Sequence, residues 1–207
     1  MEKRAIIYDL DNTVYPVPAI GEKLFGPVFD LIAGSGEHDN DMGAIKHDTM
    51  RTPFRIVAQR YGFSKQLTDK AIALQEELTY DEHIDTFEDY PIIKELPGER
   101  FLVTTGFSKM QSSKIDNMDI RQDFTEVHIV DPTITSKKEV FAGIMQRYNY
   151  RPEDVLVVGD DPDSEIQAAK DLGIETVLYD PNGEQDAANA TYAIKNYQEL
   201  KEILNKE

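Results

Sequence analysis

The chain has 207 residues, 40% hydrophobic and 29% charged, a balance that describes a globular protein able to bury a core and excludes a disordered one. It contains no cysteine, which removes disulfide frameworks, thiolate zinc sites and a cysteine nucleophile. With 39 acidic against 22 basic residues the net charge is -17, so nucleic acid polymers and anionic membranes are disfavoured partners, and any anion site needs lysines placed to reverse the local field.

Met1 to Arg4 leads directly into an apolar segment too short for the hydrophobic region of a secretory leader, and no stretch approaches a membrane span. The expected location is the cytoplasm. The first strand-like run is Arg4 to Tyr8. From about Pro16 to Leu96 the pattern is helical: Ala19 to Ile32, Pro53 to Tyr61 with Pro53 at a first-turn position, and Thr68 to Thr79 with Asp69 near its start. The acidic stretch Asp81 to Asp89 reads as a solvated face or linker, and the chain turns back into the core through Tyr90-Pro91 and Pro97-Gly98.

Strand-like runs then follow at Phe101 to Val103, Glu126 to Val130, Asp154 to Val158 and Glu175 to Leu178. Between them lie helical patterns at Phe107 to Met118, Lys137 to Tyr148 and Asp163 to Leu172, the last stopped by Gly173. Repeated strand-helix-strand units predict an α/β protein: a Rossmann-like parallel sheet core covered by helices on both faces. The helical segment is an insertion after the first strand, with residues 1–16 and 97–207 as the core and 17–96 as the insertion.

Four groups of polar residues fall at or just after strand ends. Asp9 and Asp11 follow the first strand, Thr104-Thr105-Gly106 the second and Gly159-Asp160-Asp161 the fourth, while Lys137 and Lys138 open the helix after the third. Taken singly, each group is as readily a turn or helix cap as a functional element. Parallel strands would bring all four to one edge of the sheet, where α/β proteins bind ligands. Several carboxylates converging there form an all-oxygen site for a hard divalent cation, and Mg2+ is the usual choice when phosphate completes the ligand set. One carboxylate can then act as a nucleophile beside another that transfers protons, while a threonine, backbone amides and a lysine hold phosphoryl oxygens.

Asp9-Leu10-Asp11-Asn12-Thr13 after an apolar strand resembles the first motif of the haloacid dehalogenase (HAD) superfamily. Phe101 to Gly106 is similar to its second motif, Lys137 to its third and Val158 to Glu165 to its fourth, in family order over most of the chain. The resemblance implies Asp9 as the nucleophile that forms an aspartyl-phosphate and Asp11 as the general acid and base. It implies Thr104, Thr105 and Lys137 as phosphate-binding residues, and Asp9, Asp160 and the backbone carbonyl of Asp11 as Mg2+ ligands. Either Asp161 or Glu165 supports the metal, and Lys137 is preferred over Lys138 because it lies nearer the helix start. The insertion resembles the helical cap of the first cap class, with residues 12–19 as a flap whose shapes Tyr15, Pro16 and Pro18 limit. The opening motif is particularly like that of pyrimidine 5′-nucleotidases.

The resulting expectation is a Mg2+-dependent phosphatase acting on a small phosphorylated substrate, a nucleotide or a sugar phosphate. A phosphomutase of the same superfamily and a non-catalytic phospho-acceptor or binding protein are the alternatives. Dehalogenation fits less well because Asp11 supplies a proton-transfer group that it does not need. Gly34-Ser35-Gly36 lacks the third glycine of a dinucleotide loop, and Asp39 to Gly43 departs from a calcium loop in its glycine position and at Met50. His38, His47, His83 and His128 form no spaced cluster. Substrate identity and oligomeric state are not encoded in these motifs.

Overall fold

The computed structural model describes residues 3–39 and 41–206. Met1 and Glu2, at the start read for a leader, and Asn40, in the calcium-loop-like run, lie outside the described residues, as does Glu207. The described residues form two compact units: one of residues 3–16, 85–105 and 118–206, the other of 17–39, 41–84 and 106–117.

The first unit is built on a six-stranded sheet in which every pairing is parallel. Its strands are β1 (Ala5–Tyr8), β2 (Glu99–Thr105), β3 (Glu126–Val130), β4 (Val155–Gly159), β5 (Glu175–Tyr179) and β6 (Tyr192–Ile194). Their order is β3-β2-β1-β4-β5-β6. The central strands β1 and β4 are buried along their whole length, as expected of parallel strands covered on both faces. Alternation along β1 divides the two cores. Ala5 and Ile7 face Phe101, Val103, Val157, Phe141 and Ile144, whereas the Tyr8 ring points the other way, towards Phe124 and Tyr197 at 6.2 Å each. Each aliphatic or aromatic side chain sealed in these cores contributes roughly 1.5–3 kcal/mol.

Lys137–Tyr148 and Gln167–Lys170 form the helices of the first face, and Tyr197–Lys206 supplies the second. The expected helix at Asp163 to Leu172 opens instead as a π-helical turn over Pro162–Ile166. The acidic stretch is not wholly solvated. Asp89 accepts hydrogen bonds from the Tyr197 backbone N–H at 2.6 Å and the Tyr179 hydroxyl at 3.3 Å, so a carboxylate from a distant segment caps the C-terminal helix. Residues 85–96, expected in the insertion, belong to the sheet unit.

The second unit contains α1 (Pro18–Leu24), α2 (Gly26–Ser35), α3 (Met42–Thr49), α4 (Phe54–Arg60), α5 (Lys65–Glu77) and α6 (Ser108–Asn117). The expected single helix at Ala19 to Ile32 breaks at Phe25, and a second helix begins at Gly26 with Pro27 in its first turn. Pro53 is the residue before α4 rather than within its first turn. Ser64, not Asp69, caps α5, its Oγ accepting from the Leu67 N–H at 3.2 Å. Val28, Ile32, Ile45, Val57, Leu67 and Ala71 build the apolar centre, with Phe107 packed against it. The helix α6, expected with the sheet, is bound to the insertion: Asn117 donates to the Tyr80 carbonyl at 2.7 Å, and the Tyr80 N–H donates to Ser113 Oγ at 2.9 Å. Among the described residues no helix is long and apolar enough to cross a membrane.

Candidate active site

The remaining helices of the sheet unit are α7 (Lys137–Tyr148), α8 (Gln167–Lys170) and α9 (Tyr197–Lys206). In the strand order, the chain builds outward from β1 through β2 to β3 and then crosses to β4 on the other side. The crevice between the carboxyl ends of β1 and β4 is therefore the topological switch point, where the crossover loops diverge and leave room for a ligand. Asp9 is the residue after β1, its N–H donating to the Val158 carbonyl at 2.9 Å, and Asp160 is the residue after β4. Thr104 and Thr105 close β2 on the neighbouring side, level with Ile129 and Val130. Thr104 is buried.

Lys137 is brought in by α7. A capping box fixes the helix start: Ser136 Oγ accepts from the Glu139 N–H at 3.2 Å, and Glu139 accepts from the Ser136 N–H at 2.9 Å. A lysine at the first position opposes the helix dipole, a penalty of roughly 0.3–1 kcal/mol, so it requires compensation. That compensation is direct. Its Nζ donates to Asp9 Oδ1 at 2.6 Å and to Glu165 Oε2 at 2.7 Å, with all three side chains buried. Lys138 instead pairs with exposed Asp171 at 3.1 Å. Geometry thus separates the two adjacent lysines.

The same contacts separate Asp161 from Glu165. Asp161 turns its carboxylate onto the Asp163 N–H at 2.9 Å and caps the π turn. Glu165 folds back across that turn, accepting from the Asp161 N–H at 2.8 Å while its other oxygen meets Lys137. Asp9, Asp160 and Glu165 each place a carboxylate oxygen within 4.8 Å of the others. Three carboxylates against one ammonium leave two formal negative charges, and the donor set is hard, all-oxygen and preassembled, which fits a divalent cation such as Mg2+. Asp11 lies outside this carboxylate cluster; its Oδ1 accepts from the Tyr15 hydroxyl at 2.6 Å.

Electrostatics follow from burial. Burial pushes the Asp9 carboxyl up to about 7, Lys137 opposes that rise, and the charges of Glu165 and Asp11 add to it. For Lys137, burial disfavours the ammonium, but Asp9 and Glu165 outweigh it and hold the group firmly protonated.

Residues 6–179 match the model of the haloacid dehalogenase-like hydrolase family. The chain belongs to that family. Among curated relatives, it is 24% identical to ribulose-1,5-bisphosphate 5-phosphatase of Halopiger xanaduensis over 215 aligned positions, covering 90% of this chain and 88% of that one. It is 26% identical to the pyrimidine 5′-nucleotidase PynA of Streptococcus pneumoniae over 51% of this chain and 47% of that enzyme. A magnesium-bound structure of the HAD hydrolase YfnB from Bacillus subtilis superposes with a TM-score of 0.68 at 18% identity, covering 99% of this chain and 100% of that one. The Rossmann-like α/β fold expected from the sequence is the fold observed.

Two features of this candidate site are not evident from the sequence. Tyr15 was legible only as a stiffener of the loop after the first motif, yet its position four residues after Asp11 signals contact when the chain turns between them. In the sequence Gly159 reads only as part of the segment that follows the fourth strand. A Cβ there would lie 2.1 Å from Glu165 Oε1, so the absence of a side chain is what admits that carboxylate. Gly159→Ala is therefore expected to displace Glu165, lower stability by about 1–3 kcal/mol in a chemical unfolding curve and reduce turnover. Wild-type stability and turnover in that variant would show that Glu165 has room to move.

Proposed function

We propose that this protein is a Mg2+-dependent phosphatase that hydrolyses a small phosphate monoester, a nucleotide or a sugar phosphate, through an aspartyl-phosphate on Asp9. The observation that carries the reading is the contact of Lys137 with both Asp9 and Glu165, beside Asp160, at the switch point of the sheet. The names of the two relatives, a sugar bisphosphate phosphatase and a nucleotidase, support the substrate class. The helical unit is read as the family's cap.

In this reading Asp9 attacks phosphorus in line as the ester oxygen departs, and Asp11 gives that oxygen its proton. Asp11 then takes a proton from the water that attacks phosphorus, the bond to Asp9 breaks, and inorganic phosphate leaves with Asp9 regenerated. Lys137 keeps Asp9 oriented and neutralises the transferring group, and Thr104 and Thr105 hold its oxygens. Asp9, Asp160 and the Asp11 backbone carbonyl would hold Mg2+, with Glu165 in support. When bound, the cation supplies charge neutralisation to the phosphoryl oxygens and lets closely spaced carboxylates remain ionised.

The test is phosphate release from a panel of nucleoside monophosphates and sugar phosphates with Mg2+. Release from at least one class is expected, together with a fall in kcat/KM of roughly 10²-fold or more on chelation by EDTA, restored by added Mg2+. No release from any ester, while a control phosphatase hydrolyses the same panel, refutes the reading. Isomerised sugar phosphate without net release would identify the mutase alternative.

A further inference from the structure

The loop that carries Asp11 is a tight turn. Asn12 adopts a left-handed φ of 55°, the Val14 N–H donates to the Leu10 carbonyl at 2.9 Å, and the backbones of Asp11 and Tyr15 come together in an isolated bridge. Such a turn settles the backbone of Asp11 but leaves its carboxylate two side-chain torsions. A group that must deliver a proton to one oxygen and later remove one from water performs poorly if it swivels. The Tyr15 hydroxyl meets Asp11 Oδ1 at 2.6 Å, the short distance of a charge-assisted hydrogen bond. Its ring is fully buried, so the donor is itself immobile.

The surrounding contacts hold this arrangement from outside. Tyr197 of α9 donates its hydroxyl to the Thr13 carbonyl at 2.7 Å, and the Phe87 N–H donates to the Val14 carbonyl at 2.9 Å. Two segments remote in sequence thus hold the five residues 11–15.

We infer that Tyr15 is a positioning residue for proton transfer, fixing the Asp11 carboxylate in the rotamer from which it serves the leaving oxygen and the attacking water. This rests on the phosphatase reading above. The competing account makes Tyr15 an ordinary core residue whose hydroxyl has found a nearby acceptor.

The two accounts differ in leaving-group dependence. The test is Tyr15→Phe, which keeps the ring and removes one oxygen, in single-turnover reactions with Mg2+ on two esters. 4-Nitrophenyl phosphate releases a stable phenolate that needs no proton, whereas an alkyl phosphate drawn from the active class of the panel must have its oxygen protonated. Alcohol release is expected to fall roughly 10- to 100-fold, part of the 10²–10⁴ that general acid catalysis contributes, with 4-nitrophenolate release changed less than about threefold. In an Asp11→Ala background, Tyr15→Phe is expected to add no further loss, because it acts through Asp11 alone. Parallel falls on both esters, no change on either, or an added loss in the Asp11→Ala background each overturn the inference while leaving the phosphatase reading intact. A wild-type protein inert towards every ester overturns that reading and this inference with it.

Discussion

Asp9→Asn is expected to reduce phosphate release by at least about 10⁴-fold in kcat while leaving the unfolding temperature unchanged or higher. The two halves of this expectation have one cause. Asp9 is buried beside Glu165, with Asp11 two residues away in the chain, and Lys137 answers only part of that negative charge. Asparagine has nearly the same shape, can still accept from the Lys137 ammonium and carries no charge to desolvate, so the folded state is relieved as the nucleophile is lost. A gain of about 1 kcal/mol is the expected scale. The sign with pH follows from the same residue. With its folded carboxyl at about 7 against an ordinary value of 3.8, the native state holds a proton that the unfolded chain has released. Metal-free wild-type protein should therefore lose stability as pH rises through that window, and Asp9→Asn should flatten the slope. Phosphate release and thermal unfolding in metal-free buffer from pH 4 to 8 check all three statements. Unchanged turnover removes Asp9 as nucleophile, and a large fall in unfolding temperature makes it a structural residue.

Lys137→Met is expected to damage both stability and activity, by about 3–5 kcal/mol and roughly 10²- to 10³-fold respectively. Removing the ammonium leaves Asp9 and Glu165 as buried carboxylates without the cation that joined them, and a single buried partner lost from an ion pair carries a penalty of that size. Because the buried Asp9 carboxylate can escape by taking up a proton, the stability deficit should shrink as pH falls. Millimolar Mg2+ should also restore part of it by binding the folded form. Lys138→Met is the contrasting case. Its pair with Asp171 is exposed, and the expected change is within about 0.5 kcal/mol with activity retained. Urea unfolding of both variants, with and without Mg2+, separates the two lysines. Equal stability losses would contradict the assignment.

The two unfolding experiments probe a site whose parts were unequally visible in the primary structure. Strands β1, β2, β4 and β5 were legible because buried parallel strands carry continuous apolar runs, and β3, only partly buried at the sheet edge, from Val127, Ile129 and Val130. The three-residue strand β6 was not, being short and at the sheet edge, with only Ile194 fully enclosed. Likewise α3 buries only Ile45 and Thr49, too few positions to trace a helical period. Asp9, Asp160 and Lys137 could be named from their places after strands and at a helix start, since a parallel sheet necessarily gathers such residues at one edge.

Residue order and hydrophobic period by themselves determined the α/β class, the helical insertion and the set of groups that meet at the carboxyl edge. Tertiary structure alone decided which contacts the neighbouring side chains make: Glu165 on the lysine and Asp161 on its own turn, Tyr15 on Asp11, and Lys138 turned outward to Asp171 while Lys137, already favoured by its place at the helix start, turns inward. The reason is one of range. Strand and helix patterns are set by contacts a few residues apart, whereas the direction of an individual side chain is settled by partners as distant as the 128 positions between Asp9 and Lys137.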